Sequence, residues 1–231
     1  MQDSNAYQTF AQETLGVTFG NIDILITAFT HRSYVNEHRK TVKEHNERLE
    51  FLGDAVLELV VTEYLYGNFA DPEGVLTNWR SALVRTESIG SAATRFGFEP
   101  MLRLSRGERR GTDRARAQIL ANSYEAVVGA IYLDQGYDAA KVFITKSILS
   151  TFKDILDSGS WQDAKSHLQE LAQSRDGHTP VYKVLSEEGP DHDKIFTVGV
   201  FVNGKLKGQG TGPSKQNGQQ KAAEAALASY E

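Results

Sequence analysis

The stretch 45–60, HNERLEFLGDAVLELV, carries three carboxylates in a pattern able to hold a cation. Glu47, Glu50 and Asp54 lie at i, i+3 and i+7, so on a helix they fall within roughly 60° of one another. Leu49, Leu52, Val56 and Val60 supply much of an apolar face on the same helix. Three like charges on one side repel and gain nothing from i, i+4 pairing, although Arg48 is placed to offset one of them. A solvated helix face is the ordinary explanation for such a cluster. Gly53 weighs against it. Glycine inside a helix costs about 1 kcal/mol relative to alanine, and beside the carboxylates it points to close approach by another helix or a ligand.

A second helix offers the partner. In 118–134, QILANSYEAVVGAIYLD, Asn122, Glu125 and Gly129 share a face at i, i+3 and i+7. This face again combines oxygen ligands with a glycine. Packed together, the two faces would gather Glu50, Asp54, Asn122 and Glu125 into one oxygen-rich pocket. Hard cations such as Mg²⁺ take octahedral oxygen ligation from a few carboxylates, with water and phosphate completing the shell. The chemistry that follows is metal-assisted hydrolysis of a phosphodiester.

The elements that must position these residues read as helices up to about residue 157. Apolar residues recur at spacings of three and four in 5–15, 22–30, 44–66, 75–96, 116–134 and 138–157. Gly16, Gly20, Asp71-Pro72, Gly97, Pro100, Gly107, Gly111 and Gly136 punctuate them. The short polar run SGSWQ at 158–162 reads as a linker between a domain at 1–157 and a second at 163–231. In the second, 163–175 is helical, 180–188 and 194–202 alternate like strands, and Asn203-Gly204 signals a two-residue hairpin into 205–211. Residues 214–230 are alanine-rich and helical. The fold class is therefore an all-α domain followed by a small α+β domain of order α-β-β-β-α.

Composition narrows the classes. The 231 residues contain no cysteine, which excludes disulfides and thiolate zinc sites. No apolar run is long enough to span a bilayer, and Met1 to Asn5 is polar, so a cytoplasmic protein is expected. The net charge of −5 argues mildly against nucleic acid, but its distribution matters more. Residues 103–116, RLSRGERRGTDRAR, hold six arginines against Glu108 and Asp113 and lead straight into the second acidic helix. Arg109 and Arg110 at their centre suit phosphate oxygens, which guanidinium forks grip in pairs. GVFVNGKL at 199–206 approaches a phosphate-loop pattern, but Leu206 replaces the required hydroxyl and the segment lies in strand and hairpin. GQGTG at 208–212 also sits in a strand. Neither HExxH nor GxSxG occurs, which removes the usual zinc-protease and serine-hydrolase arrangements.

NERLEFLGDA at 46–55 resembles the signature of the ribonuclease III family. THRSY at 30–34 and ILANSYEAVVGAIYL at 119–133 resemble two further blocks of that family, in its order and spacing. The resemblance implies a helical ribonuclease III catalytic domain and a double-stranded-RNA-binding domain. It further implies a homodimer that cuts both strands of duplex RNA to give 5′-phosphate and 3′-hydroxyl ends, in processing of ribosomal and messenger RNA. Carried over by position, Glu50, Asp54, Asn122 and Glu125 are the metal ligands, with Mg²⁺ the expected ion and Mn²⁺ a substitute. Asp54 and Glu125, with Glu47 as an accessory acid, are the catalytic carboxylates. Glu73 would face the partner subunit's site, and Phe51 would plug into the partner across the two-fold axis. The family usually has aspartate where this chain has Asn122, which keeps a carbonyl oxygen but removes a negative charge. Gln118 also stands where a small hydroxyl residue is expected. A non-cleaving double-stranded-RNA-binding protein on the same fold is the alternative, and Asn122 alone speaks for it.

In the second domain the resemblance implies reading of RNA by shape over about 16 base pairs. Ser166, Gln169 and Glu170 would act from the first helix and His192 from the loop at 189–194. Ser214 and Lys215 would meet phosphate at the start of the last helix. Residues 160–231 carry eight basic against nine acidic residues, and Gln216 and Gln219 occupy places where the family often has lysine or arginine. The affinity expected of this module alone is modest.

Overall fold

The computed structural model describes residues 4–157, 161, 164–190 and 194–229. The chain divides into two compact units, 1–161 and 162–231.

The first unit is helical. Helices α1 (Ser4–Phe10), α2 (Ile22–Ala28) and α3 (Arg32–Glu37) precede the long α4 (Glu47–Asn68). Then follow α5 (Glu73–Val84), α6 (Thr86–Arg95), α7 (Asp113–Gln135), α8 (Tyr137–Ser147) and α9 (Phe152–Asp157). Helix α7 is buried over nearly all of 119–131, as an interior helix with apolar residues on every side should be. Thr112 caps it by accepting from the Ala115 amide, and Gly136, at φ 84°, ends it. Phe29, Phe98, Tyr124 and Phe143 form a chain of ring contacts through the core. A second aromatic group, Phe69, Trp79 and Phe152, also takes in Trp161, whose ring lies edge-on to Trp79 at 5.8 Å. Trp161 therefore packs on the helical unit; 158–160 and 162 of the expected linker lie outside the described residues.

One helix expectation is corrected. The periodic stretch 75–96 is two helices, because Arg85 leaves the helical region at φ −68°, ψ 153°. The Ser88 hydroxyl donates back to the Ala82 carbonyl across this break, so side-chain bonding restores part of what the backbone ladder loses. No glycine or proline marks the corner. A single parallel bridge between Thr30 and Arg103 also appears in this otherwise helical unit.

The second unit holds α10 (Ala164–Asp176), β1 (Val181–Glu188), β2 (Ile195–Val202), β3 (Lys205–Gly212) and α11 (Lys215–Leu227). The strands form one antiparallel sheet in the order β1-β2-β3. Asn203 and Gly204 both take positive φ, 51° and 73°, as a tight hairpin turn requires. Side chains at Gly208 and Gly210 would collide with the backbone of Ala222. The glycine-rich run of β3 is thus a floor for the alanine-rich α11, whose Ala222, Ala223 and Ala226 are buried with Leu168, Ala172, Val200 and Val202. That packing is the physical reason it is not a nucleotide loop.

Candidate active site and RNA-contact surfaces

Helices α4 and α7 cross where both carry glycine. A side chain at Gly53 would collide with the Glu125 carbonyl, and one at Gly129 with the Leu49 carbonyl. The close approach expected from Gly53 is therefore made by another helix of the same unit. It brings together the polar edges of both helices: Glu50 and Asp54 from α4, Asn122 and Glu125 from α7. Glu50, Asn122 and Glu125 are half-buried and Asp54 is exposed.

The electrostatics record the crowding. Burial pushes the Glu125 carboxyl up to about 7, helped by the charges of Asp54 and Glu50. Glu50 is also raised, by burial and then by Glu47 and Asp54, against the opposing effect of a hydrogen bond from Asn122. Glu47 and Glu50 lie in the first turn of α4, where the helix dipole favours negative charge. Among the described residues, no basic side chain pairs with Glu50, Asp54 or Glu125, and no three His, Asp or Glu side chains are gathered at metal-ligating spacing. The donor set fits a hard cation in chemistry, through three carboxylates without a basic partner among the described residues and an amide.

Glu47 acts on Glu50 by its charge and is itself paired with other groups. It pairs with Arg32 at 3.3 Å and lies 3.8 Å from His45 Nδ1. The offsetting cation is thus Arg32, 15 positions from Glu47 in sequence and invisible to a helix-spacing argument; Arg48, expected in that role, lines a groove instead. Gln118, where the resemblance expects a small hydroxyl residue, donates from Nε2 to Asn122 Oδ1 at 2.7 Å. The Asn122 carbonyl oxygen is therefore already engaged, and its amide donor acts on Glu50.

Phe51 is 81% exposed and stands at the rim of a groove of about 900 Å³. Ile24, Thr27, Leu49, Leu52 and Leu133 line its apolar part. Glu73 opens α5, exposed, with its carboxylate accepting from the Thr77 hydroxyl at 3.0 Å.

The arginine run is divided in its roles. Arg103 is structural: it donates to Thr30 Oγ1 at 3.0 Å and lies over the Tyr34 ring. Arg116 pairs with Glu99 at 3.2 Å. Arg106, Arg109, Arg110 and Arg114 remain exposed, Arg109 and Arg110 on a 3-10 turn just before α7.

In the second unit, Ser166, Gln169 and Glu170 lie exposed on α10. Ser214 caps α11 by accepting from the Asn217 amide at 3.1 Å. Lys215, expected to be a plain phosphate contact, is paired with Glu187 at 3.1 Å, which a sequence gap of 28 positions conceals. Gln219 accepts from Lys165 at 2.9 Å and so ties α11 to α10. His192 lies outside the described residues.

A helical unit with an acidic helix crossing, followed by an α-β-β-β-α module, is the class of a nuclease domain joined to a double-stranded-RNA-binding module, as the family models that match the two units show. Known proteins give the particular family. The family model described as Ribonuclease-III-like matches residues 21–152, and the double-stranded RNA binding motif matches 164–230. The chain is 44% identical to ribonuclease 3 of Enterococcus faecalis over 97% of its own length and 98% of that protein. It is 47% identical to ribonuclease 3 of Anoxybacillus flavithermus, over 94% and 91%. The nuclease domain of ribonuclease III from Campylobacter jejuni, solved in a study of flexibility in a region involved in dimer formation, superposes with a TM-score of 0.56 at 36% identity. The alignment spans 62% of this chain and 97% of that one. The chain belongs to the ribonuclease III family, the double-stranded-RNA-specific endoribonucleases. Among the described residues no helix is long and apolar enough to cross a membrane.

Proposed function

We propose that this endoribonuclease hydrolyses duplex RNA at the crossing of α4 and α7, leaving 5′-phosphate and 3′-hydroxyl ends. The observation that carries the reading is the electrostatic coupling of Glu50, Asp54 and Glu125, which have no basic partner among the described residues and two of which are raised in pKa by burial and neighbouring charge. Such an arrangement is costly unless a cation neutralises it. Mg²⁺ is the proposed ion, with Mn²⁺ as a substitute, held by Glu50, Asp54 and Glu125 with the amide of Asn122 alongside. A bound Mg²⁺ would lower the pKa of a water and neutralise charge on the phosphate. The chain's own contribution is to hold carboxylates at that point and to grip the duplex on either side. Arg109 and Arg110 contact the RNA backbone beside α7. Ser166, Gln169, Glu170, His192, Ser214 and Lys215 grip it from the second unit.

The protein acts as a homodimer in this reading, each Phe51 entering the groove of the other subunit in an isologous contact. Glu47 sits close to the cleaving centre as an accessory acid, and Glu73 faces the centre of the partner. Ribosomal-RNA precursors and messengers in the cytoplasm are the proposed substrates. Glu125→Gln tests the assignment: duplex binding in a gel-shift assay is retained while Mg²⁺-dependent cleavage is lost. Cleavage within a few-fold of the unmodified protein refutes it. End-group analysis of the products checks the polarity.

A further inference from the structure

The α11 lysine proposed to meet RNA phosphate is not idle in the free protein. Lys215 Nζ lies 3.1 Å from Glu187 Oε1, and Lys194 Nζ lies 3.9 Å from the other carboxylate oxygen, Glu187 Oε2. One carboxylate on β1 thus engages two cations, one at the end of the β1–β2 loop and one on the first turn of α11. The register explains how: Glu187 pairs across the sheet with Phe196, and Lys215 lies over the Phe196 ring at 5.5 Å. All three charged groups keep more than a third of their side-chain surface in solvent. The cluster is therefore held in place by the sheet yet open to an incoming anion.

We propose that Glu187 is an intramolecular competitor for RNA phosphate at Lys215, and that it sets the affinity and salt dependence of the RNA-binding module. This rests on the reading of the α11 start as a phosphate contact. The physical argument is one of exchange. For Lys215 to grip phosphate it must leave a carboxylate 3.1 Å away, so the net gain is the difference between two ion pairs, and Glu187 is left facing the RNA. An exposed ion pair is weak, so the exchange is easy, but it is not free. Salt weakens the Glu187–Lys215 pair as it weakens the RNA contact. The competition is consequently strongest at low salt. With eight basic and nine acidic residues in 160–231, the module has few spare cations, and the engagement of one weighs on its affinity.

The test is equilibrium binding of the full chain, in chelator to prevent cleavage, to a blunt RNA duplex longer than the about 16 base pairs such a module spans. The variants are Glu187→Gln, Lys215→Gln, the double variant, and Glu188→Gln as a neighbouring change of equal charge. Glu187→Gln is expected to tighten binding by about two- to five-fold at low salt, the range that exposed pair strengths convert to. The gain fades as salt rises, it is absent in the Lys215→Gln background, and Glu188→Gln gives less than half of it. Equal gains from Glu187→Gln and Glu188→Gln mean that net charge alone acts, and overturn the proposal. So does a gain that survives Lys215→Gln, or a loss of affinity. If Lys215→Gln leaves binding unchanged, the phosphate-contact reading itself fails, a result separate from a Lys215 that matters while Glu187 does not.

Discussion

Glu125 offers a prediction in which the proposed metal pocket shows itself as a stability effect, without any cleavage. Burial and the charges of Asp54 and Glu50 push its carboxyl from 4.5 up to about 7. At about 1.4 kcal/mol per pH unit, a difference of this size is worth about 3 kcal/mol for a group removed from water. Glu125 is only half-buried, so solvent screening reduces the expectation to about 1–2 kcal/mol. Because the folded-state pKa is raised, the neutral acid is the form the fold prefers. Below 4.5 the group is protonated whether the chain is folded or not, and costs nothing. Between 4.5 and about 7 the unfolded chain ionises first, so stability is lost as pH rises, and above 7 the loss is complete. Glu125→Gln removes the ionisation while keeping the shape. It should match the unmodified protein near pH 4.5 and exceed it by about 1–2 kcal/mol at pH 8 in chelator. Urea unfolding followed by tryptophan fluorescence reads the relevant unit alone, since the only two tryptophans, Trp79 and Trp161, both pack in it. Added Mg²⁺ should stabilise the unmodified protein more than the variant. A Gln variant that is less stable at pH 8, or whose advantage does not change with pH, refutes the account of the pocket as crowded negative charge.

Three other outcomes are expected. Asn122→Asp should lower the Mg²⁺ concentration for half-maximal cleavage while reducing metal-free stability, since it adds a fourth carboxylate and loses the donor acting on Glu50; coincident metal curves for the two proteins count against Asn122 as part of the pocket. Phe51→Ala should convert dimer to monomer in sedimentation with less than about 1 kcal/mol of change in monomer stability, because the ring is 81% exposed; an unchanged dimer refutes its role. A chain ending at residue 161 should still cut duplex RNA at low salt and lose activity more steeply than the full chain as salt rises; a truncated protein that folds and dimerises yet never cuts refutes the division of labour.

Much of this was legible in sequence because it rests on local periodicity. The carboxylates at i, i+3 and i+7, the interior Gly53 and the Asn203-Gly204 hairpin each state a local geometry that packing then uses without altering it. Gly53 pointed to close approach by another helix or a ligand, Gly129 marked the second face, and the two meet at the crossing of α4 and α7. What escaped were partnerships between distant positions. Arg32 reaches Glu47 over 15 positions and Lys215 reaches Glu187 over 28, and neither gap has a periodic signature. The corner at Arg85 escaped because no breaker residue marks it and its lost backbone bonds are partly replaced by the Ser88 side chain. Gln118 was the opposite case. Its i, i+4 spacing to Asn122 was in plain view, but a contact between two amides has meaning only once the helix face that bears them is known to be a pocket.

The pocket reconciles two opposed demands. The glycines let α4 and α7 approach until side chains would collide, and burial at the crossing raises the cost of charge on Glu50 and Glu125. The same approach brings carboxylates of two helices close enough for the charges of Asp54 and Glu50 to act on Glu125. The crowding is offset locally: Glu47 pairs with Arg32, the α4 dipole supports the first turn, and Asn122 offers Glu50 a neutral hydrogen-bond donor. A carboxylate at position 122 could give no such relief, because it has no donor when ionised. In the proposed metal site, the amide therefore biases the pocket toward a weaker hold on the ion than a carboxylate would give. Gln118 reinforces that bias by occupying the amide oxygen, the one atom of Asn122 that would face a cation as a ligand.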